Sequence, residues 1–439
     1  MINYLRKKIS YDNPVRMLWH RLKGFLAAMI YGFPASNMVV IGVTGTNGKT
    51  TTVHMIEHIL REAGKNVAMI STVDFSINGE VTSNESKKTT LSPFITQKFL
   101  RKCVGQGVKY VVLEASSHAL HQSRLWGIPF SISVITNITH EHLDYHGTME
   151  KYKEAKKILF RMVSRSCRHG ESALSKKIPH HKAFVLNTND KYYEEFKGLE
   201  CDLKISYGID KGDLKASKLI MNKGGSHLQL IYGKDHIGCK LHLIGTFNVE
   251  NALAAAGAAL ACDLTLHQIR EGLESFRGVS GRMERIKSPK GFEVIVDFAL
   301  TPDALDKLYS TLQGTVTGRI FGIIGSCGER DKEKRPVMGK IVAHFSDITI
   351  VTDEEPYSEN PMEIMVAVLN GAKELKVLHQ DLQLIPDRYG AIEYAVQHAE
   401  KNDLIVVTGM GSFKTRSLND GEIPWDEREV VREIISKYV

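Results

Sequence analysis

The chain has 439 residues, 43% of them hydrophobic and 24% charged, and a formal net charge of +7. That length exceeds one ordinary core and predicts two or three domains. The composition is that of a soluble globular protein and excludes a membrane-spanning chain, since no apolar run approaches the roughly 20 residues such a helix needs.

The early apolar run Phe25–Phe33 is short and contains Gly32, and no signal peptide is expected. The charge is uneven. Residues 1–38 hold Arg6, Lys7, Lys8, Arg16, Arg21 and Lys23 against Asp12, a balance of +5 out of +7. A basic arm, residues 1–37, is therefore expected, with a helix over Pro14–Tyr31 packed on the next domain and its charges solvated. Nucleic acid or an anionic membrane are the other partners such charge allows, but no nucleic-acid-binding motif is present. Six cysteines, at 103, 167, 201, 239, 262 and 327, are scattered without a Cys-x-x-Cys pair. That spacing suits free thiols in a reducing cytoplasm, not a disulfide framework or a zinc site.

From residue 38 the pattern alternates strand and helix, which predicts a parallel sheet covered by helices. Strands are expected at Met38–Val43, Val67–Ser71, Tyr110–Glu114, Ile132–Asn137 and Ala183–Asn187. Ligands of such sheets sit outside the carboxyl ends of the strands. The first strand runs into Thr44-Gly45-Thr46-Asn47-Gly48-Lys49-Thr50-Thr51 and a helix over Thr51–Ala63. Glycines at a strand-to-helix turn let main-chain N–H groups approach phosphate oxygens. Lys49 adds a positive charge, and the Thr50 hydroxyl suits Mg²⁺. The strict phosphate-loop pattern would have glycine at 43, where this chain has Val43.

Glu114 ends the next long strand in Val112-Leu113-Glu114-Ala115-Ser116-Ser117-His118, placed to hold Mg²⁺ directly or through water. The following strand end carries His140-Glu141-His142-Leu143-Asp144-Tyr145-His146-Gly147. No zinc-type spacing accompanies it, so a second Mg²⁺ is the better reading downstream of a phosphate loop. A helical stretch, Met149–Phe160, carries Lys156, by default a solvated lysine. A β-rich stretch with alternation over His227–Tyr232 and a helix over Asn251–Cys262 follow. Near Gly278 and Gly281 a linker is expected, then a second α/β series with strands at Glu293–Phe298, Ile320–Gly325, Ile348–Thr352 and Leu404–Thr408. Three segments result: the arm 1–37, an ATP-binding domain 38–280, and a second Rossmann-like α/β domain 281–439.

These blocks together resemble the Mur ligases, the ATP-dependent amide-forming family of peptidoglycan synthesis. Within the family the chain looks most like the UDP-N-acetylmuramoyl-tripeptide synthetases. The resemblance runs through Tyr152-x-x-Ala155-Lys156, Gly245-x-Phe247-Asn248-x-x-Asn251, Gly281-Arg282-Met283-Glu284, Asp297 with Thr301-Pro302-Asp303, and Asp426-x-Arg428-Glu429. It implies ATP and two Mg²⁺ ions, with Gly45 to Thr51 on the phosphates and Thr50, Glu114 and His142 on the metals. It also implies that Lys156 is carbamylated by CO₂ and helps to place the second ion, which replaces its default reading. Asn251, Arg282 and Asp297 match adenosine contacts, and Lys334 and Arg335 match a loop facing the γ-phosphate. Thr89, Thr90, Ser116 and Arg124 match positions that hold the acceptor. The implied activity is amide-bond formation between an acceptor carboxylate and a free amino acid through an acyl phosphate. A cytoplasmic monomer working on small molecules is expected.

Three departures stand out. Residues 1–37 replace the N-terminal domain with which full-length synthetases grip UDP, so a short form is expected. The diaminopimelate-adding relatives carry Asp-Asn-Pro-Arg, where this chain has Asp353-Glu354-Glu355-Pro356-Tyr357. Tyr357 cannot clamp a distal carboxylate as Arg does, whereas Glu354 and Glu355 would attract a distal ammonium. Asp-Tyr-Ala-His reads Asp297-Phe298-Ala299-Leu300. Two other readings remain at this point. A ligase of the folylpolyglutamate-synthase type is disfavoured by the His142–Gly147 block. A non-catalytic ligase-like module is disfavoured by intact Lys49, Thr50, Glu114, His142 and Lys156.

Overall fold

The computed structural model describes residues 13–166 and 182–438. Arg6, Lys7, Lys8 and Asp12 of the basic arm, and Cys167, lie outside the described residues. The chain forms two compact units, residues 1–243 with 247–276, and residues 244–246 with 277–439.

The first unit is built on an eleven-stranded sheet among the described residues. Its strands are β1 (Val39–Thr44), β2 (Val67–Ile70), β3 (Asp74–Ile77), β4 (Glu80–Ser83), β5 (Tyr110–Glu114), β6 (Phe130–Ile135), β7 (Ala183–Asn187), β8 (Leu203–Ile209), β9 (Leu214–Asn222), β10 (Gly225–Tyr232) and β11 (Asp235–Leu241). Their order is β11-β10-β9-β8-β7-β6-β1-β5-β2-β3-β4. The stretch from β2 to β9 is parallel, and antiparallel hairpins finish both edges. β1, β6 and β7 are buried along their whole length, which is why they read as unbroken apolar runs. After β1 the chain lays down β2, β3 and β4, returns to place β5 between β1 and β2, then crosses to the other side of β1 at β6. That reversal opens a crevice at the carboxyl ends of β1 and β6, the usual ligand position in such sheets.

The second unit carries a six-stranded sheet in order β12-β13-β17-β14-β15-β16. These are β12 (Glu284–Lys287), β13 (Glu293–Asp297), β14 (Ile320–Ile324), β15 (Ile348–Val351), β16 (Leu382–Leu384) and β17 (Leu404–Thr408). All pairs except β12/β13 are parallel. A small hairpin, β18 (Thr415–Leu418) with β19 (Gly421–Pro424), follows.

The expected α/β architecture is therefore the observed one, and β5, β7 and β17 have the expected bounds. Other expected elements are offset at one or both ends, two of them for a visible reason. β6 starts at Phe130, because Phe130 and Ser131 continue the buried run upstream of Ile132. The helix expected from Asn251 begins at Thr246 and ends at Leu260. Its polar first turn carries Asn248, which is buried.

Candidate active site

Two glycines of the loop after β1 are demanded by its shape. Gly45 has φ +151°, and a Cβ there would fall 1.9 Å from the Thr136 hydroxyl oxygen. Gly48 has φ +84°, and a Cβ there would fall 2.2 Å from Asn251 Oδ1. The loop after β6 clasps this turn from the side. Thr46 N–H donates to the Asn137 carbonyl at 2.7 Å, and Asn47 N–H donates to Asn137 Oδ1 at 2.9 Å. The Thr136 hydroxyl donates to the Asn47 carbonyl at 2.6 Å, and Thr139 N–H donates to Thr46 Oγ1 at 3.0 Å. Lys49 opens the helix Lys49–Glu62. Its Nζ folds back over the turn, donating to the carbonyls of Gly45 at 3.0 Å and Thr46 at 2.7 Å. Thr50, Thr51 and Thr52 are buried behind it.

Lys156 is not a solvated lysine. It sits on the helix Met149–Ser166, is 1% exposed, and donates to the same Gly45 carbonyl at 2.7 Å. Its Nζ lies 4.3 Å from the centroid of the Tyr152 ring. Burial, helped by the nearby charge of Lys49, pushes its pKa well below the usual lysine value, while Glu141 and Asp190 pull weakly the other way. Both burial and the Lys49 charge weaken its hold on the proton. Tyr152 shares a hydrogen bond of 3.0 Å with the Thr46 hydroxyl, so this helix is tied to the phosphate loop at two points.

Glu114, at the end of β5, is 1% exposed. Its carboxylate accepts from Thr72 N–H at 2.8 Å and from the Thr72 hydroxyl at 3.0 Å. Beside it lies a pair that sequence reading missed. His54 contacts the Thr50 carbonyl through Nδ1 at 2.8 Å and Asp74 through Nε2 at 2.8 Å. Burial opposes charge on His54, but the hydrogen bond and charge of Asp74, the Thr50 carbonyl and the charge of Glu114 outweigh it and raise its pKa. A histidine inside an amphipathic helix reads as core, and nothing local marks Asp74 as its partner.

His142 stands in left-handed conformation, φ +57°, just before the short helix Leu143–His146. Its ring meets those of His118 at 4.6 Å and Tyr152 at 6.2 Å, and its Nε2 lies 3.7 Å from Glu141. His146 Nε2 bonds the Ser117 hydroxyl at 3.0 Å. The histidine block is therefore packed between the loop after β5 and the Lys156 helix. Thr90, Ser116 and Arg124 also come together. The Thr90 hydroxyl donates to Ser116 Oγ at 3.1 Å, and Arg124 Nη1 donates to the Thr90 carbonyl at 2.9 Å. Thr89 precedes Thr90 and is half-buried. Burial lowers the Arg124 pKa from its usual value.

In the second unit, Asp297 ends β13 and accepts from Met283 N–H at 2.7 Å. The Arg282 guanidinium lies 4.2 Å from the centroid of the Phe298 ring. Phe298, which breaks the expected Tyr, therefore offers Arg282 an aromatic face. Lys334 donates to the Leu300 carbonyl at 2.8 Å. Arg335 is buried and pairs with both carboxylate oxygens of Glu359, at 3.0 and 3.1 Å. The segment from Asp353 to Tyr357 is turned inward. Glu354 and Glu355 are 1% and 2% exposed. The Cys327 thiol donates to Glu354 Oε1 at 2.9 Å, and burial raises the Glu354 pKa. Glu355 accepts from Ser417 N–H at 3.0 Å and from the Tyr357 hydroxyl at 3.1 Å. Arg416 donates to the Glu354 carbonyl at 2.9 Å and to Asp353 Oδ2 at 3.1 Å. Lys414 is exposed.

The donors near the phosphate loop suit a hard cation that shares its ligands with phosphate. Among the described residues no three or more His, Cys, Asp or Glu form a metal cluster by themselves. The Thr50 hydroxyl and the Glu114 carboxylate are oxygen ligands of the type Mg²⁺ takes one or two at a time, leaving the rest to phosphate and water.

Two family matches cover most of the chain: the Mur ligase middle domain over residues 43–259, and the Mur ligase, glutamate ligase domain over residues 281–411. The chain is 37% identical over 432 residues to the UDP-N-acetylmuramoyl-L-alanyl-D-glutamate--2,6-diaminopimelate ligase of Bacillus licheniformis, covering 98% of this chain and 85% of that protein. A solved structure of a ligase of that name aligns with a TM-score of 0.61 at 29% identity, over 91% of this chain and 78% of the other. Mycobacterium tuberculosis folylpolyglutamate synthase complexed with ADP aligns with a TM-score of 0.72 at 17% identity, over 89% of this chain and 91% of the other, a likeness of fold.

Proposed function

This chain belongs to the Mur ligase family, and we propose that it adds an amino acid to a UDP-N-acetylmuramoyl-dipeptide-like acceptor in peptidoglycan precursor synthesis. It is an ATP-dependent acid–amino-acid ligase that needs Mg²⁺ and acts on small-molecule substrates. The observation that carries the reading is the meeting of Lys49 and Lys156 on the phosphate-loop carbonyl of Gly45.

An amine cannot displace oxide from a carboxylate, so the acceptor must first be activated. Its carboxylate oxygen attacks the γ-phosphorus of ATP, the bond to ADP breaks, and an acyl phosphate forms. The amine nitrogen of the amino acid then attacks the acyl carbon, phosphate leaves with the C–O bond pair, and the nitrogen loses a proton. Lys49 leaves its two carbonyl partners for the phosphates and offsets the charge that accumulates there. Thr50, Glu114, His142 and a carbamylated Lys156 would hold two Mg²⁺ ions, whose charge reduces repulsion between triphosphate and carboxylate.

The lowered pKa of Lys156 and its place on the Gly45 carbonyl support carbamylation. A neutral Nζ attacks the carbon of CO₂, one C=O electron pair moves to oxygen, and the nitrogen loses a proton. The product is an anion beside Lys49 in place of a second amine. We assign the acceptor to Thr89, Thr90, Ser116 and Arg124 and, on the family resemblance, nucleotide contacts to Asn251 in the first unit and, separately, to Arg282, Asp297, Lys334 and Arg335 in the second. For Arg335 this requires release from Glu359.

On the amino acid the reading departs from the names of the relatives. No Arg stands at 357, and Asp353, Glu354 and Glu355 precede that position, with Glu355 accepting from the Tyr357 hydroxyl. Arg416 is already engaged by this segment. Lysine or ornithine is favoured over diaminopimelate on those grounds. The free thiols Cys103, Cys239, Cys262 and Cys327 suit a cytoplasmic enzyme.

The test is phosphate release from ATP with UDP-N-acetylmuramoyl-dipeptide and a panel of amino acids. Release that requires both the acceptor and an amine supports the reading. Release with neither, or with non-UDP carboxylates alone, rejects it.

A further inference from the structure

The helix Pro14–Ile30 has two apolar faces, and the body of the first unit covers one of them. Gly24, Ala27 and Ala28 are buried. A Cβ on Gly24 would fall 2.7 Å from Trp126 Cβ, so glycine there allows the helix to lie close. The opposite face carries Val15, Leu18, Trp19, Leu22, Met29 and Ile30, spaced as one stripe of an α-helix. All six are exposed, Val15 by 75%, Leu18 by 67% and Ile30 by 64%. A stripe of this size at the surface marks an interaction face, not scattered apolar residues.

The charges beside it have one sign. From Asn13 to Phe33 the chain holds Arg16, Arg21 and Lys23 and no acidic residue. Lys23 Nζ lies 5.7 Å from the centroid of the Trp19 ring, so its charge sits at the edge of the apolar stripe. Arg6, Lys7 and Lys8 precede the helix in sequence. No helix among the described residues is long and apolar enough to cross a membrane.

We propose that this exposed face binds the surface of an anionic phospholipid bilayer. The stripe would lie among the acyl chains just below the headgroups. The flanking basic side chains would meet phosphate, and Trp19 would occupy the interface that amphipathic aromatic rings favour. A second copy of the chain is a poorer occupant. Pairing two such helices along the stripe brings Arg21 and Lys23 towards their own counterparts with no acid between them. The proposal is independent of which amino acid or acceptor the active site takes.

Vesicle co-sedimentation of the intact chain tests it, using phosphatidylcholine with or without an equal part of phosphatidylglycerol. Binding should require phosphatidylglycerol and weaken at high salt. Leu18→Ser with Leu22→Ser, and separately Arg21→Glu with Lys23→Glu, should each weaken it by about tenfold or more, with the melting temperature held near that of the parent. Trp19→Phe should remove the blue shift of tryptophan emission that vesicles cause. Three results would overturn the proposal: no vesicle binding, binding that ignores lipid charge and both variant pairs, or a dimer in sedimentation that Leu18→Ser with Leu22→Ser dissolves.

Discussion

Lys49 and Lys156, which lie 107 positions apart in sequence, donate to one oxygen, the Gly45 carbonyl, at 3.0 and 2.7 Å. Two ammonium groups on one acceptor repel, and Lys156 is the more deeply buried of the two. Its low pKa follows from that burial and from the charge of Lys49. The first prediction concerns this pair. Lys156→Ala should lose turnover by orders of magnitude and regain part of it with added short carboxylates. Labelled bicarbonate should give a carbamate signal in the parent and none in the variant. Parent-like turnover in Lys156→Ala would remove the carbamate from the mechanism.

Lys49→Ala should be the more damaging change to phosphoryl transfer. One charge-stabilising donor at such a step contributes roughly 3–4 kcal/mol, or two to three decades of rate. The loss should fall mainly on kcat, measured by phosphate release at saturating acceptor. An unchanged kcat would mean that the loop does not hold the reacting phosphate.

Competing lysine and meso-diaminopimelate should give mainly the lysine amide in product analysis. Leaving an unpaired carboxylate near Glu354 and Glu355 costs several kcal/mol, which is several decades of preference at about 1.4 kcal/mol per tenfold. Tyr357→Arg should shift the preference towards diaminopimelate. Predominant diaminopimelate incorporation by the parent would show that another cation performs the clamp.

The Arg335–Glu359 pair sets a pH dependence. Hydrogen bonds from Arg335, opposed only in part by burial, lower the Glu359 pKa to about 2. A carboxylate with a depressed folded-state pKa contributes stability above its unfolded pKa and loses it as pH falls through the folded value. Glu359→Gln should therefore be less stable than the parent near neutrality, by about 1.5–3 kcal/mol for charged hydrogen bonds. The difference should shrink as pH falls from about 4.5 towards 2. Denaturant melts across that range read it directly, and a gap that does not narrow would contradict the assignment.

Much of the first-unit site was legible in sequence because its requirements are local. Gly45 and Gly48 need positive φ and space, and those demands leave a spacing that can be read along the chain. Glu114 ends an apolar run, and its residue type suits the end of a buried strand beside a phosphate loop. The His54–Asp74 pair was not legible. His54 fits the periodicity of an ordinary helix, and only the sheet order brings β3 beside it.

The segment from Asp353 to Tyr357 shows the same division. Sequence alone established that Tyr357 replaces Arg and that carboxylates precede it. It could not establish where those carboxylates point. Ser417, from β18, donates to Glu355, and Cys327, after β14, donates to Glu354. Both partners are remote in sequence, and a local pattern carries no record of them. The protonation tendency of Lys156 belongs to the tertiary structure for a related reason. A lysine in a helix is charged and solvated by default, and desolvation is a sum over every atom that packs around it. Only the folded chain, with Tyr152, Gly45 and Lys49 gathered around one nitrogen, determines that sum.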